Sequence, residues 1–172
     1  EQVGTPDMLK RLVYILFIPA IFSLGACQDY DFKVNDKVVY SPALYREYTT
    51  PDQGLRECLQ QTIKDRGVTE PQQLDILDCS SAGIQSLEGI SVFTGLKAAR
   101  FSDNEIRNLV ELGAMDSIEV LYLDDNEIID PVPLYRLPAL RELELSGNAA
   151  LQCPKSGSLE QVATLVLPTH CN

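Results

Sequence analysis

The sequence predicts an α/β solenoid, a stack of short coils with a parallel β-sheet on its concave face and a helix closing its N-terminal end. Three observations predict it. Asparagine recurs at 104, 126 and 148, 22 residues apart each time. Apolar residues recur in the same phase: Leu96, Ala99, Phe101 and Ile106 in one unit, Ile118, Leu121, Leu123 and Ile128 in the next, then Leu140, Leu143, Leu145 and Ala150. Ahead of the repeats, residues 50–67 carry a helix start, an apolar stripe and a glycine stop. A fixed period in the twenties marks a stacked array of coils. The 3-2-5 spacing of the apolar positions is not that of a helix.

Aligned on the asparagines, the units read L-x-x-L-x-L-x-x-N-x-I, the pattern of leucine-rich repeats. Their length, with Leu109, Leu112, Pro131 and Leu134 in the variable half, resembles the internalin-type subclass. Counting back 22 residues reaches Leu74, Leu77, Cys79, Ala82 and Ile84, a unit that keeps its apolar positions and loses its asparagine. Counting forward reaches Val162, Leu165, Leu167 and His170. The expectation is five rungs across a repeat domain at 74–172, with strands near 75–79, 97–101, 119–123, 141–145 and 163–167. Atypical end units fit coils that have a neighbour on one side only.

Each coil is too small to bury its own apolar face, so stacking must supply the core. The fourth and sixth positions point inward and their neighbours outward. Asn104, Asn126 and Asn148 stand where the chain leaves the strand. An amide there both donates and accepts, so it can satisfy turn groups that would otherwise be buried unpaired.

Taken from the N-terminus, residues 1–26 read as a lipoprotein signal peptide. Met8 is followed by Lys10 and Arg11, then by an apolar run from Leu12 to Leu24. That run is too short for a membrane-spanning helix, which needs about 20 residues. Residues 1–7, with Glu1 and Asp7 ahead of a methionine, read as a misassigned upstream start. Leu24-Gly25-Ala26-Cys27 resembles the bacterial lipobox, which implies cleavage before Cys27 and an N-terminal cysteine that carries acyl chains (palmitate). Residues 27–49 form a tether or extension, with a small hairpin from Phe32 to Tyr40 around Asn35-Asp36. Residues 50–73 form the N-terminal cap: Thr50 as N-cap, Pro51 at the first helical position, Gln53 completing a capping box and Gly67 as the stop. Leu55, Cys58, Leu59, Thr62 and Ile63 share one face of that helix.

Export to an oxidising compartment would leave Cys58, Cys79, Cys153 and Cys171 to pair. Four cysteines allow three pairings. The favoured one joins Cys58 to Cys79 at the front, because Cys79 faces inward beside the cap, and Cys153 to Cys171 at the back. Cys153, His170 and Cys171 as metal ligands are the competing reading, which lacks a C-x-x-C spacing. No metal or cofactor is expected. Nor is catalysis: the one histidine has no nucleophile arrangement around it, and no glycine-rich phosphate loop follows a strand. Asp124-Asp125-Asn126-Glu127 lacks the spacing and glycine of an EF-hand loop.

The chain from Cys27 onward resembles small leucine-rich-repeat lipoproteins of Gram-negative bacteria. That resemblance implies a binding or adhesive protein held in the cell envelope, with Gln28 after Cys27 favouring the outer membrane. The residues expected on the binding face are Asp78, Arg100, Asp103, Tyr122, Asp124, Asp125, Glu142 and Glu144, acidic but for Arg100 and Tyr122. The whole chain carries −11, which opposes nucleic acid and bare anionic membrane as ligands. A protein or peptide partner, basic in character, fits this face. Five strands about 4.8 Å apart make a sheet roughly 19 Å across. With about five residues per strand, or roughly 16 Å, its area is about 300–400 Å², less than the roughly 800 Å² per partner of a standard interface, so the face suits a peptide or part of a larger site. The alternative is a structural or assembly role in the envelope without a dedicated ligand face.

Overall fold

The computed structural model describes residues 32–34 and 37–171. The signal segment, the lipobox and Cys27 lie outside the described residues. The chain divides into two compact units, Glu1–Pro42 and Ala43–Asn172. In the first, β1 (Phe32–Val34) pairs antiparallel with β2 (Lys37–Tyr40), with Lys33 opposite Val38 and Val34 opposite Lys37.

The second unit is the solenoid. After α1 (Gln53–Arg66) come β3 (Ile76–Asp78), β4 (Ala98–Arg100), β5 (Val120–Tyr122), β6 (Glu142–Glu144) and β7 (Thr164–Val166). They form one parallel sheet in chain order, and the 22-residue step sets the register: Leu77, Ala99, Leu121, Leu143 and Leu165 lie side by side. The chain returns through short 3₁₀ turns at Ile90–Val92, Val110–Ala114 and Val132–Arg136. A coil this short leaves no length for a full return helix, and 3₁₀ geometry serves such brief runs. Between sheet and turns the inward leucines, isoleucines and phenylalanines make one continuous core.

The asparagines tie each coil to the one before it. Asn104 accepts from the amides of Ala82 (3.1 Å) and Ile84 (2.9 Å) and donates to the carbonyls of Cys79 and Phe101. Asn126 accepts from Ile106 N–H and donates to Phe101 and Leu123, and Asn148 repeats this with Ile128, Leu123 and Leu145. An asparagine in this slot therefore serves the preceding coil. The first rung is preceded by α1 rather than by a coil, so Ala82 has no such duty.

The cap differs from expectation at its start. Asp52, not Thr50, is the N-cap: its Oδ1 accepts from Leu55 N–H at 2.9 Å. Its second oxygen accepts from the amides of Gln85 and Ser86, so one carboxylate both starts the helix and fastens it to the first rung. A hydroxyl at Thr50 has one oxygen and could not do both. Leu55, Leu59 and Ile63 are buried, and Gly67, at φ 65°, ends the helix. Gly54 is dictated by contact, since a Cβ there would stand 2.2 Å from the Ala82 carbonyl oxygen.

Two further expectations are revised. Residues 44–50, read from sequence as tether and helix start, belong to the solenoid unit. Tyr45 N–H donates to the Val68 carbonyl, and the rings of Tyr45 and Tyr48 meet the edge of buried Phe93 at 5.9 and 5.4 Å. Apolar ring area, not repeat phase, holds this segment. At the other end, Leu165 holds an inward position of the last rung by register but is 37% exposed. Ala150, in an isoleucine slot, is also exposed. No further coil covers that rung among the described residues.

Cys58 and Cys79 are bridged, Cα–Cα 5.8 Å, joining α1 to the first rung. Cys153 and Cys171 are bridged, Cα–Cα 5.3 Å, holding the last turn to the chain that follows Leu151. His170 sits beside this second bridge, with Nε2 3.0 Å from the Leu151 carbonyl. A carbonyl only accepts, so Nε2 carries the proton. The three side chains Cys153, His170 and Cys171 are close enough to frame a metal ion. With both sulfurs joined to each other, neither is available as a thiolate ligand.

Candidate functional site

The residues that face outward from the concave sheet come from the positions flanking each inward leucine. Four of those predicted from sequence meet in a row across β3 to β6. Asp78 lies 3.8 Å from Arg100 Nε, and the Arg100 guanidinium sits over the Tyr122 ring, 4.3 Å from its centroid. The Tyr122 hydroxyl donates to the Glu142 carboxylate. The row alternates acid, base, aromatic and acid along one sheet. Register places three of its four members side by side, because Asp78, Arg100 and Tyr122 are successive Cα partners. Glu142 is partner to Val120 and reaches Tyr122 diagonally.

Electrostatics fix the middle of the row. The hydrogen bond to Glu142 raises the Tyr122 pKa, with desolvation and the Glu142 charge acting the same way and Arg100 opposing. The phenol therefore stays a donor over the physiological range. Arg100 is attracted to the ring face as well as to Asp78. Tyr122 is thus held in place by its own neighbours before any partner arrives, and it is half-buried rather than freely exposed.

The other predicted face residues do not join this row. Asp103 accepts from the Ser81 hydroxyl and Asp124 from the Ser102 hydroxyl, each at 2.7 Å and each across one 22-residue step. Glu144 turns toward Ser146 N–H. Asp103 and Asp125 adopt left-handed backbone, φ 57° and 52°, which aspartate tolerates better than most residues. Asp103, Asp124 and Asp125 lie in the turns that follow the strands, whereas Glu144 stands on β6 as the Cα partner of Tyr122 and adds its charge beside the ring.

Sequence reasoning missed a cavity of about 580 Å³ between residues 44–50 and α1. Arg56 and Lys64 stand on its wall, eight residues apart on one helix face. That spacing was the available signal.

Fold and repeats together define a leucine-rich-repeat protein. No family model matches the chain. It is similar to leucine-rich repeat-containing protein 56 of Rattus norvegicus, 33% identical over 99 residues, which is 56% of this chain and 18% of that protein. Among solved structures it is similar to an internalin (inlF) of Listeria monocytogenes, with a TM-score of 0.58 and 23% identity over 69% of this chain and 36% of that one. A second Listeria monocytogenes internalin (inlC2) matches at a TM-score of 0.43 and 24% identity. The chain spans under a fifth of the rat protein and about a third of the first internalin. The internalin likeness carries the fold, an α/β repeat solenoid with a parallel sheet, and nothing about ligands.

Proposed function

We propose that this chain is a non-catalytic interaction module that binds a protein or peptide partner through its concave face. The observation that carries the reading is the row Asp78–Arg100–Tyr122–Glu142, a fixed aromatic between paired charges on a sheet otherwise short of bases. A tyrosine immobilised in the free protein loses little entropy on binding. The surrounding acids, with Asp103, Asp124, Asp125 and Glu144 adding to the field, select a basic partner and speed its approach at low salt. The module is anchored to the cell envelope by acyl chains on Cys27, at the outer membrane; the lipobox-like Leu24-Gly25-Ala26-Cys27 supports this part.

Two measurements test the two parts separately. Titration of a partner captured from envelope extract, at low and moderate salt, is expected to weaken with salt and to lose about tenfold in affinity on Tyr122→Ala. Equal affinities for wild type and variant would move the site off this face. Mass spectrometry of the mature N-terminus is expected to find an acylated Cys27. A water-soluble product beginning elsewhere would remove the anchor and leave the binding reading standing.

One observation favours the structural alternative. Val110 and Val132 occupy equivalent positions one repeat apart on the flank and are 63% and 48% exposed, with Ile129 nearby in sequence at 43%. Exposed apolar residues in register along a flank suit side-by-side assembly with other proteins.

A further inference from the structure

The cavity beside α1 has a chemistry opposite to that of the rest of the chain. Three cationic side chains stand on its wall: Arg46 from the entry segment, and Arg56 and Lys64 from the helix. Among the described residues no carboxylate lines it, although acids outnumber bases 25 to 14 in the whole chain. Among the described residues none of these three cations is in an ion pair, whereas Arg66, Arg100 and Arg107 are paired with Asp75, Asp78 and Glu127. Arg56 is already fixed, because its Nη1 donates to the Thr50 carbonyl at 2.8 Å.

The remaining wall is aromatic. Tyr45 and Tyr48 stack with centroids 6.1 Å apart and a 23° interplanar angle, braced by Phe93 behind them. Burial raises the Tyr48 pKa, with Arg56 opposing, so its hydroxyl stays a donor. Thr50 lines the same cavity and is 4% exposed. Its hydroxyl is the one buried side-chain polar atom without a hydrogen-bond partner among the described residues. Buried polar atoms are normally satisfied, but this oxygen is sealed from the cavity itself, so the cations and rings define the site.

We propose that this cavity binds a small aromatic phosphate monoester, its phosphate among Arg46, Arg56 and Lys64 and its ring against Tyr45 and Tyr48. Three cations call for more than one negative charge. A phosphate monoester carries about −1.5 to −2 at neutral pH and offers oxygens that match guanidinium edges. A volume of about 580 Å³ lies in the range of small-ligand sites and is too small for a folded partner. The stacked tyrosines supply ring faces, which favour another ring over an aliphatic chain. The site is on a different surface from the concave sheet and does not depend on that reading.

The test is calorimetric titration of the full chain with phenyl phosphate, inorganic phosphate and phenol, with amide chemical shifts followed in parallel. Phenyl phosphate is expected to bind about tenfold more tightly than either fragment, with shifts confined to residues 44–64. The double variant Arg46→Gln/Lys64→Gln is expected to lose about tenfold or more in affinity with an unchanged unfolding midpoint, since neither side chain makes a hydrogen bond or ion pair among the described residues. Lys155→Gln, which removes the same kind of charge far from the cavity, is expected to leave binding unchanged. Equal affinity for phenyl phosphate and inorganic phosphate would overturn the proposal, as would an unaffected double variant. A loss on Lys155→Gln matching that of the double variant would reduce the effect to net charge and would overturn it too.

Discussion

Asn126 shows at the level of one residue why the repeat needs an amide. It is 7% exposed and bonds four backbone groups: the Ile106 N–H and the carbonyls of Phe101, Leu123 and Asp124. Asn126→Ala leaves several of these buried and unpaired, and a loss of about 1–3 kcal/mol is expected in urea unfolding. An unchanged midpoint would mean that the ladder is ornamental. Asp52 makes a comparable argument with a charge. Burial raises its pKa, but the amides of Leu55, Gln85, Ser86 and Gly54 together outweigh this and hold the carboxyl below its usual range. A depressed folded-state pKa contributes stability that is present above the unfolded-state value and is lost as pH falls through the folded one. Stability is therefore expected to decline on acidification below the usual aspartate range. Asp52→Asn keeps an acceptor for Leu55 but removes this titration, so its acid limb should be shallower than that of wild type when unfolding is followed from pH 6 to 2.

Helix α1 joins sequence to packing at the level of an element, and it shows what a pattern can and cannot convey. Its extent and apolar face were legible, because Leu55, Leu59 and Ile63 recur at helical spacing and Gly67 supplies the left-handed stop. Its true N-cap was not. Thr50 and Asp52 are both good capping residues, and what decides between them is the pair of amides at Gln85 and Ser86, about thirty residues away. The role of Gly54 was equally hidden, since a glycine in a first turn looks like a propensity defect until the Ala82 carbonyl is seen pressing on it. The two views give opposite signs for one substitution. Propensity alone makes Gly54→Ala stabilising by about 1 kcal/mol. A Cβ 2.2 Å from a backbone oxygen must push the helix off the first rung, an overpacking cost of about 1–3 kcal/mol. The expected net result is a lowered melting temperature, and a raised one would show that the cap can slide without penalty.

Across the whole molecule, the 22-residue period fixed strand number, order and register, because a solenoid repeats one local solution and each coil meets only its neighbours. The concave row could also be placed from that period, but the contacts within it could not: whether Arg100 sits over Tyr122 or reaches into solvent depends on side-chain geometry that spacing does not encode. Periodicity says least at the ends, where there is no next coil to complete the pattern, and the two bridges stand at those ends. Their surroundings differ. Cys79 is 2% exposed and lies in the core, with Cys58 half-buried on the helix above it. Cys153 is exposed and Cys171 half-buried, next to the partly open rung of Leu165 and Val166. Thiol exchange requires the attacking thiolate to reach a sulfur, so access should govern the order of reduction. Stepwise dithiothreitol treatment of the native chain, trapped by alkylation and mapped by peptide mass, is expected to open Cys153–Cys171 first while the sheet is retained. Opening Cys58–Cys79 should then release the cap and cost about 3 kcal/mol, as for a loop of some twenty residues. Simultaneous loss of both bridges would mean that the molecule unfolds as one unit before either sulfur pair is reached, and the capped front would then be no more protected than the more exposed back.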